Sequence, residues 1–135
     1  MDTPETPTAP QPPPPPPWTV CKDYADKRRF KQYGKKHPRE VESCLGNLDD
    51  VSALATQFGD LSAFHVGFLR NEFGDVWRIG QTGVPHAKET RLYIYAVRVG
   101  RTFYILTIGD KDTQQADLAR AAEIAAAIER DLHHE

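Results

Sequence analysis

The sequence predicts an α+β fold: a small antiparallel sheet with two N-terminal helices packed on one face and a C-terminal helix. Three stretches carry that reading. VWRIG (76–80), ETRLYIYAV (89–97) and TFYILTIG (102–109) are runs of β-branched and aromatic residues, types that suit a pleated surface. Upstream of them, Val41, Cys44, Leu48, Val51, Ala55 and Phe58 recur at steps of three and four, which gives one apolar stripe on a helix. After them, an Ala-rich segment holds Leu118, Ala121, Ile128 and Leu132 at helical spacing.

Residues 1–17 end in six consecutive prolines, Pro12 to Pro17. Such a segment forms neither helix nor sheet and buries no apolar surface, so it is expected to be a disordered tail that stiffens toward polyproline II. A recognition role and a plain spacer both remain open for it. Residues 18–135 then form a single domain. WTVCKDY begins it with an alternation that predicts a short strand. Asp23 or Asp26 is expected to cap a first helix, which Gly34 ends. Pro38 suits the first position of a second helix, and Gly59 its C-terminal cap.

Residues 60–75 are ambiguous: LSAFHVGFL reads as a strand or a buried irregular segment, and NEFGD as a turn through Gly74. Arg98-Val99-Gly100-Arg101 joins the last two strands, with Gly100 supplying the positive φ of a tight turn. Along the strand before it, Arg91, Tyr93, Tyr95 and Val97 share one face, and Leu92, Ile94 and Ala96 the other. One face is apolar and the other polar-tipped, the pattern of a sheet covered on one side and open to a ligand on the other.

Composition narrows the classes. The chain is 39% hydrophobic and 27% charged, with no apolar run long enough to span a membrane. The start MDTPETPTAPQ lacks the basic and apolar parts of a secretory signal. Cys21 and Cys44 have no metal-like spacing and read as free thiols of a reducing compartment. Neither a metal nor a cofactor is expected. Net charge is −2, unevenly spread. Lys22, Lys27, Arg28, Arg29, Lys31, Lys35, Lys36 and Arg39 stand against only Asp23 and Asp26 in residues 18–39. That block is either a nucleic-acid footprint or the solvated face of a short helix.

The order strand, two helices, antiparallel strands, helix resembles the RelE/ParE/HigB superfamily of bacterial toxins, over roughly residues 18–131. VWRI (76–79) is similar to a family strand bearing an aromatic and an Arg. TRLYIY (90–95) resembles the strand where Arg precedes a Tyr-containing run. YILTIGDKDTQQADLARA (104–121) resembles the last strand, its Lys-containing loop and the terminal helix.

The resemblance implies a toxin of a type II toxin–antitoxin pair, cytoplasmic, with a cognate antitoxin, the ribosome and mRNA as partners. In the RelE and HigB branches the 2′-hydroxyl of mRNA attacks the adjacent phosphate; the ParE branch instead inhibits DNA gyrase. A non-catalytic binding module of the same fold is a further alternative. By resemblance Arg91, Arg78, Lys111 and Tyr93 are the catalytic candidates, because Arg and Lys hold a crowded phosphate and Tyr moves protons. Lys88, Tyr95, Lys35 and Lys36 are the RNA-binding candidates. The chain departs from the family pattern at Thr107, where HigB-type members often carry His, and at Lys111, which is flanked by Asp110 and Asp112.

Overall fold

The structure is a computed structural model and describes residues 10–133. Its order is β1 (Thr19–Cys21), α1 (Lys27–Lys36), α2 (Pro38–Phe58), β2 (Leu69–Phe73), β3 (Val76–Gly80), β4 (Thr90–Val97), β5 (Thr102–Asp110) and α3 (Gln114–Leu132). Short 3₁₀ turns at Leu61–Ala63 and Lys111–Thr113 precede β2 and α3. The five strands lie in the order β1-β5-β4-β3-β2, antiparallel except that β1 runs parallel to β5. A parallel neighbour needs a crossover, and α1 and α2 are part of it.

Local signals explain most boundaries. Asp26 caps α1 by accepting the Arg29 amide at 3.2 Å. Gly34 does not end α1; the helix runs on to Lys36, and the His37 amide closes it on the Tyr33 carbonyl at 2.9 Å. Pro38 opens α2, where a missing amide hydrogen costs nothing, and Gly59 caps it at φ 95°. Gly46 and Asn47 do not interrupt this helix, because the Asn47 side chain turns inward and donates to the Gly80 carbonyl at 2.8 Å. The ambiguous stretch before Gly74 resolves into β2, paired with β3 through Leu69–Ile79, Arg70–Arg78 and Asn71–Trp77.

Two cores result, one on each face of the sheet. On one, Cys44, Leu48, Val51 and Ala55 of α2 pack on Leu69, Ile79, Leu92, Ile94 and Ile105. On the other, Ala121, Ile124, Ala125 and Ile128 of α3 pack on Val76, Tyr93 and Leu106. This second layer corrects the expectation of an open polar face. Tyr93 is 0% exposed, and the Tyr95 hydroxyl donates to Glu129 of α3. The tyrosine rings supply the apolar area on which α3 packs, so its Ala-rich stripe covers them.

The domain begins at Trp18. Its ring stacks on Phe103 with centroids 4.5 Å apart, its amide donates to Thr56 at 2.9 Å, and its indole N–H donates to the Gly59 carbonyl at 3.2 Å. The expectation of a disordered tail falls partly on residues 1–9, which lie outside the described residues. Pro10–Pro17 carry no regular structure and are exposed, with the Arg101 guanidinium donating to the Pro16 carbonyl at 3.2 Å. Deleting residues 1–15 is therefore expected to shift Tm by less than about 2 °C, since exposed changes are generally worth under about 0.5 kcal/mol. A clear loss in a thermal melt would show that the tail packs on the domain.

Cys44 is fully buried against the Thr90 carbonyl, and burial pushes its thiol up to about 12. Only the thiolate reacts. A thiol reagent on the native protein should modify Cys44 no faster than the domain unfolds. Rapid modification of both Cys44 and the half-buried Cys21 would contradict this packing.

Candidate functional site

The pairing Arg70–Arg78 across β2 and β3, and Gly80–Arg91 across β3 and β4, puts three arginines on one sheet face. They line a cleft of about 670 Å³ beside the N-terminal end of α3. α3 covers Tyr93 and Tyr95 but leaves the β2–β3 side of this face open. Gly80 has no side chain, so the floor opposite Arg91 stays open, and an added Cβ there would meet only ordinary contacts at 3.9 and 4.0 Å. Gly67 and Phe68, just before β2, complete the lining.

Each arginine is held differently. Arg91 is 9% exposed; it donates to the Gln114 side-chain oxygen and lies 3.5 Å from Glu89. Arg78 Nε is 3.1 Å from Glu72, with both side chains mostly buried. Arg70 is exposed and takes part in no ion pair among the described residues. Partial burial lowers the local dielectric, so the guanidinium groups act on a ligand more strongly than free surface charges. Glu72 and Glu89 offset part of that charge. Glu89 is the more open carboxylate of the two, with its side chain 58% exposed.

The rim is tied to the scaffold. Gln81 accepts the Thr90 amide at 2.7 Å, Ser43 of α2 exchanges two 2.8 Å hydrogen bonds with Thr82, and the Thr90 hydroxyl donates to the Lys88 carbonyl at 2.9 Å. Thr90 has spent its one hydroxyl hydrogen there, so Tyr33 is the donor in the 2.6 Å contact between their oxygens.

The other expected residues fall outside this cleft. Tyr93 cannot pass protons to a ligand at the surface: it is fully buried, and burial, with Asp117 adding, pushes its phenol up to about 12. Its hydroxyl has no hydrogen-bond partner among the described residues. Tyr95 is occupied by Glu129 beneath α3. Tyr93 is thus closed to a partner protein, while the half-buried Tyr95 keeps part of its ring open with its hydroxyl taken by Glu129. Lys111 is exposed on the turn after β5, away from the cleft lining. Lys88 stands at the rim with its ammonium 2.8 Å from Asp112 and 4.0 Å from Asp110. Lys35 and Lys36 line a second cleft, between the end of α1 and the turn after β5.

Sequence reasoning missed Arg70 and Gln114. The Leu69-Arg70-Asn71-Glu72 alternation was the available signal for Arg70, since a hairpin through Gly74 sets it opposite Arg78. Gln114 had no signal of its own; only the packing of α3 places it over Arg91.

Among the described residues there is no cluster of His, Cys, Asp and Glu able to hold a metal ion, and no helix long and apolar enough to cross a membrane. No protein-family model, curated protein or solved structure matches the chain.

Proposed function

We propose that this protein is the toxin of a type II toxin–antitoxin pair, a RelE/HigB-like endoribonuclease that holds messenger RNA across the arginine cleft while the message is on the ribosome. The observation that carries this reading is the convergence of Arg70, Arg78 and Arg91 from three adjacent strands on one open cleft. Guanidinium groups present paired donors matched to phosphate oxygens. A 2′-oxygen attacking the neighbouring phosphate builds charge on those oxygens, and arginines fixed by packing meet it without reorganising. In this reading Glu89, the exposed carboxylate beside Arg91, takes the 2′-hydroxyl proton as the 2′-oxygen bonds to phosphorus, and the proton returns to the 5′-oxygen as the bond from phosphorus to that oxygen breaks. The ribosome, mRNA and a cognate antitoxin are the partners this reading requires, in the cytoplasm.

A second reading is favoured by one observation: no histidine lines the cleft, and Tyr93 is sealed. A ParE-like toxin that binds gyrase without cutting RNA needs no proton shuttle.

Gly80→Val tests the cleft directly. The new side chain fills the floor without backbone strain, and a β-branched residue suits a strand. Purified Gly80→Val should keep its Tm within about 2 °C, because its Cβ meets only ordinary contacts and its branches have the cleft to occupy. It should fail to cut mRNA on programmed ribosomes that the parent cuts. Undiminished cutting by a folded Gly80→Val would exclude this cleft. Inhibition of gyrase supercoiling with no cutting by the parent would favour the second reading.

A further inference from the structure

The second cleft, of about 480 Å³, opens on the α1 side of the same end of the sheet. Arg29 crosses it. Its Nε donates to the Ile108 carbonyl at 2.9 Å and its Nη2 to the Thr113 hydroxyl at 3.3 Å, with the guanidinium 5.4 Å from the centre of the Tyr33 ring. The His37 ring leans on Tyr33 at 4.8 Å, with its side chain 28% exposed. Lys35 and Lys36 stand exposed at the mouth, and neither forms an ion pair among the described residues. α1 itself holds no acid; Asp110 is in the lining, and Glu40 and Asp117 approach His37 and Arg29 at 3.0 and 4.0 Å, which leaves Lys35 and Lys36 as the cations free to meet a ligand.

The two clefts share a wall. Thr90 lines the arginine cleft, Tyr33 lines the second, and their hydroxyls are 2.6 Å apart. Asp110 of the second cleft pairs with Thr90 in the β4–β5 register, and Lys88 sits on the rim above it. The basic groups thus follow one path around the end of the sheet: Arg70, Arg78 and Arg91, then Lys88, then Lys35, Lys36 and Arg29.

We infer that the two clefts are consecutive subsites for one single strand of RNA, which passes from Arg91 over the Thr90–Lys88 rim to Lys35 and Lys36. This rests on the RNA reading of the arginine cleft and extends it. Ammonium groups on flexible stems take backbone phosphates without regard to sequence. The competing explanation is local. Lys35 and Lys36 lie in the last turn of α1, where cations balance the helix dipole. That role affects stability slightly and RNA binding not at all.

The test uses the full chain and 2′-O-methyl oligouridylates of two and eight nucleotides, which bind but cannot be cut. Dissociation constants are measured across salt concentrations for the parent, for Lys35→Ala with Lys36→Ala, and for Gly80→Val. The parent should bind the octamer far more tightly than the dimer. The double lysine variant should lose roughly tenfold or more on the octamer at 0.1 M salt, and its salt slope should fall by about 1.4, at about 0.7 for each phosphate contact on a single strand. Its advantage for the longer strand should largely disappear. Octamer affinity equal to the parent's in the lysine variant, with Gly80→Val still abolishing binding, would overturn the shared path and leave the arginine cleft standing. Parental binding of both lengths by Gly80→Val would overturn the RNA reading of the arginine cleft, and the path with it.

Discussion

Arg91→Ala is expected to lower RNA cleavage about a hundredfold to a thousandfold, because a guanidinium fixed on a transition-state phosphate is worth about 3–4 kcal/mol. The same change should also destabilise the domain. Arg91 is 9% exposed and joins β4 to α3 through its donation to Gln114. Removing it leaves the Gln114 oxygen short of a donor and opens space at the start of α3, at a cost of about 1–3 kcal/mol. A strand arginine on an open face would have carried no such penalty. Arg91→Lys should recover part of the stability and little of the rate, since an ammonium does not reproduce the two-pronged contact. Arg70→Ala separates the two effects, because Arg70 is exposed and unpaired among the described residues. It should weaken RNA binding while leaving Tm unchanged. A folded Arg91→Ala that cuts mRNA as fast as the parent would remove the phosphate-binding role.

Gly109→Ala is expected to be the most disruptive small substitution in the sheet. Gly109 lies opposite Arg91 in β5, directly under the first turn of α3. A Cβ at this position would sit 2.6 Å from the Asp117 carboxyl carbon and 2.7 Å from the Thr113 hydroxyl oxygen. Asp117 can give way only by leaving its partners. It is 6% exposed, accepts the Thr113 hydroxyl at 2.5 Å and lies 4.0 Å from Arg29. Burial holds its carboxyl above the usual range, against the lowering effect of Thr113 and Arg29. Turning it outward breaks this group, and leaving it in place overpacks it. A loss of about 3 kcal/mol follows, or roughly 10 °C in Tm for a domain of this size. Because α3 also fixes Gln114 over Arg91, cleavage should fall too. A melt within about 2 °C of the parent would mean that α3 does not seat this closely.

These two residues also mark where the sequence is legible and where it is not. Periodicity located β3, β4 and β5 within a residue or two and the bodies of α2 and α3, with their first turns off by three or four residues, since each repeats its apolar positions over several turns or pleats. Asp26, Pro38 and Gly59 announced their boundaries through ordinary capping chemistry. Gly34 misled, because a glycine in a helix costs only about 1 kcal/mol, and the basic last turn continues past it. β2 was blurred by Phe68, Leu69 and Phe73, whose apolar spacing fits no single period. The fate of the Tyr93–Tyr95 face could not be read from strand alternation alone. Alternation separates two faces but does not say which layer covers each, and the Ala-rich stripe of α3 gives no hint of the strand it will meet. For the cleft, Arg78 and Arg91 were visible as strand arginines, whereas their convergence with Arg70 depends on the β2–β3 register.

Whether the arginine cleft cuts RNA is decided by mapping transcript 5′ ends in cells after brief induction of the parent or of Arg70→Ala with Arg78→Ala. New ends should appear inside translated codons with the parent, and few or none with the double arginine variant at equal protein level. Growth arrest by the parent with no new ends, or the same ends from the double variant, would contradict cutting by this cleft.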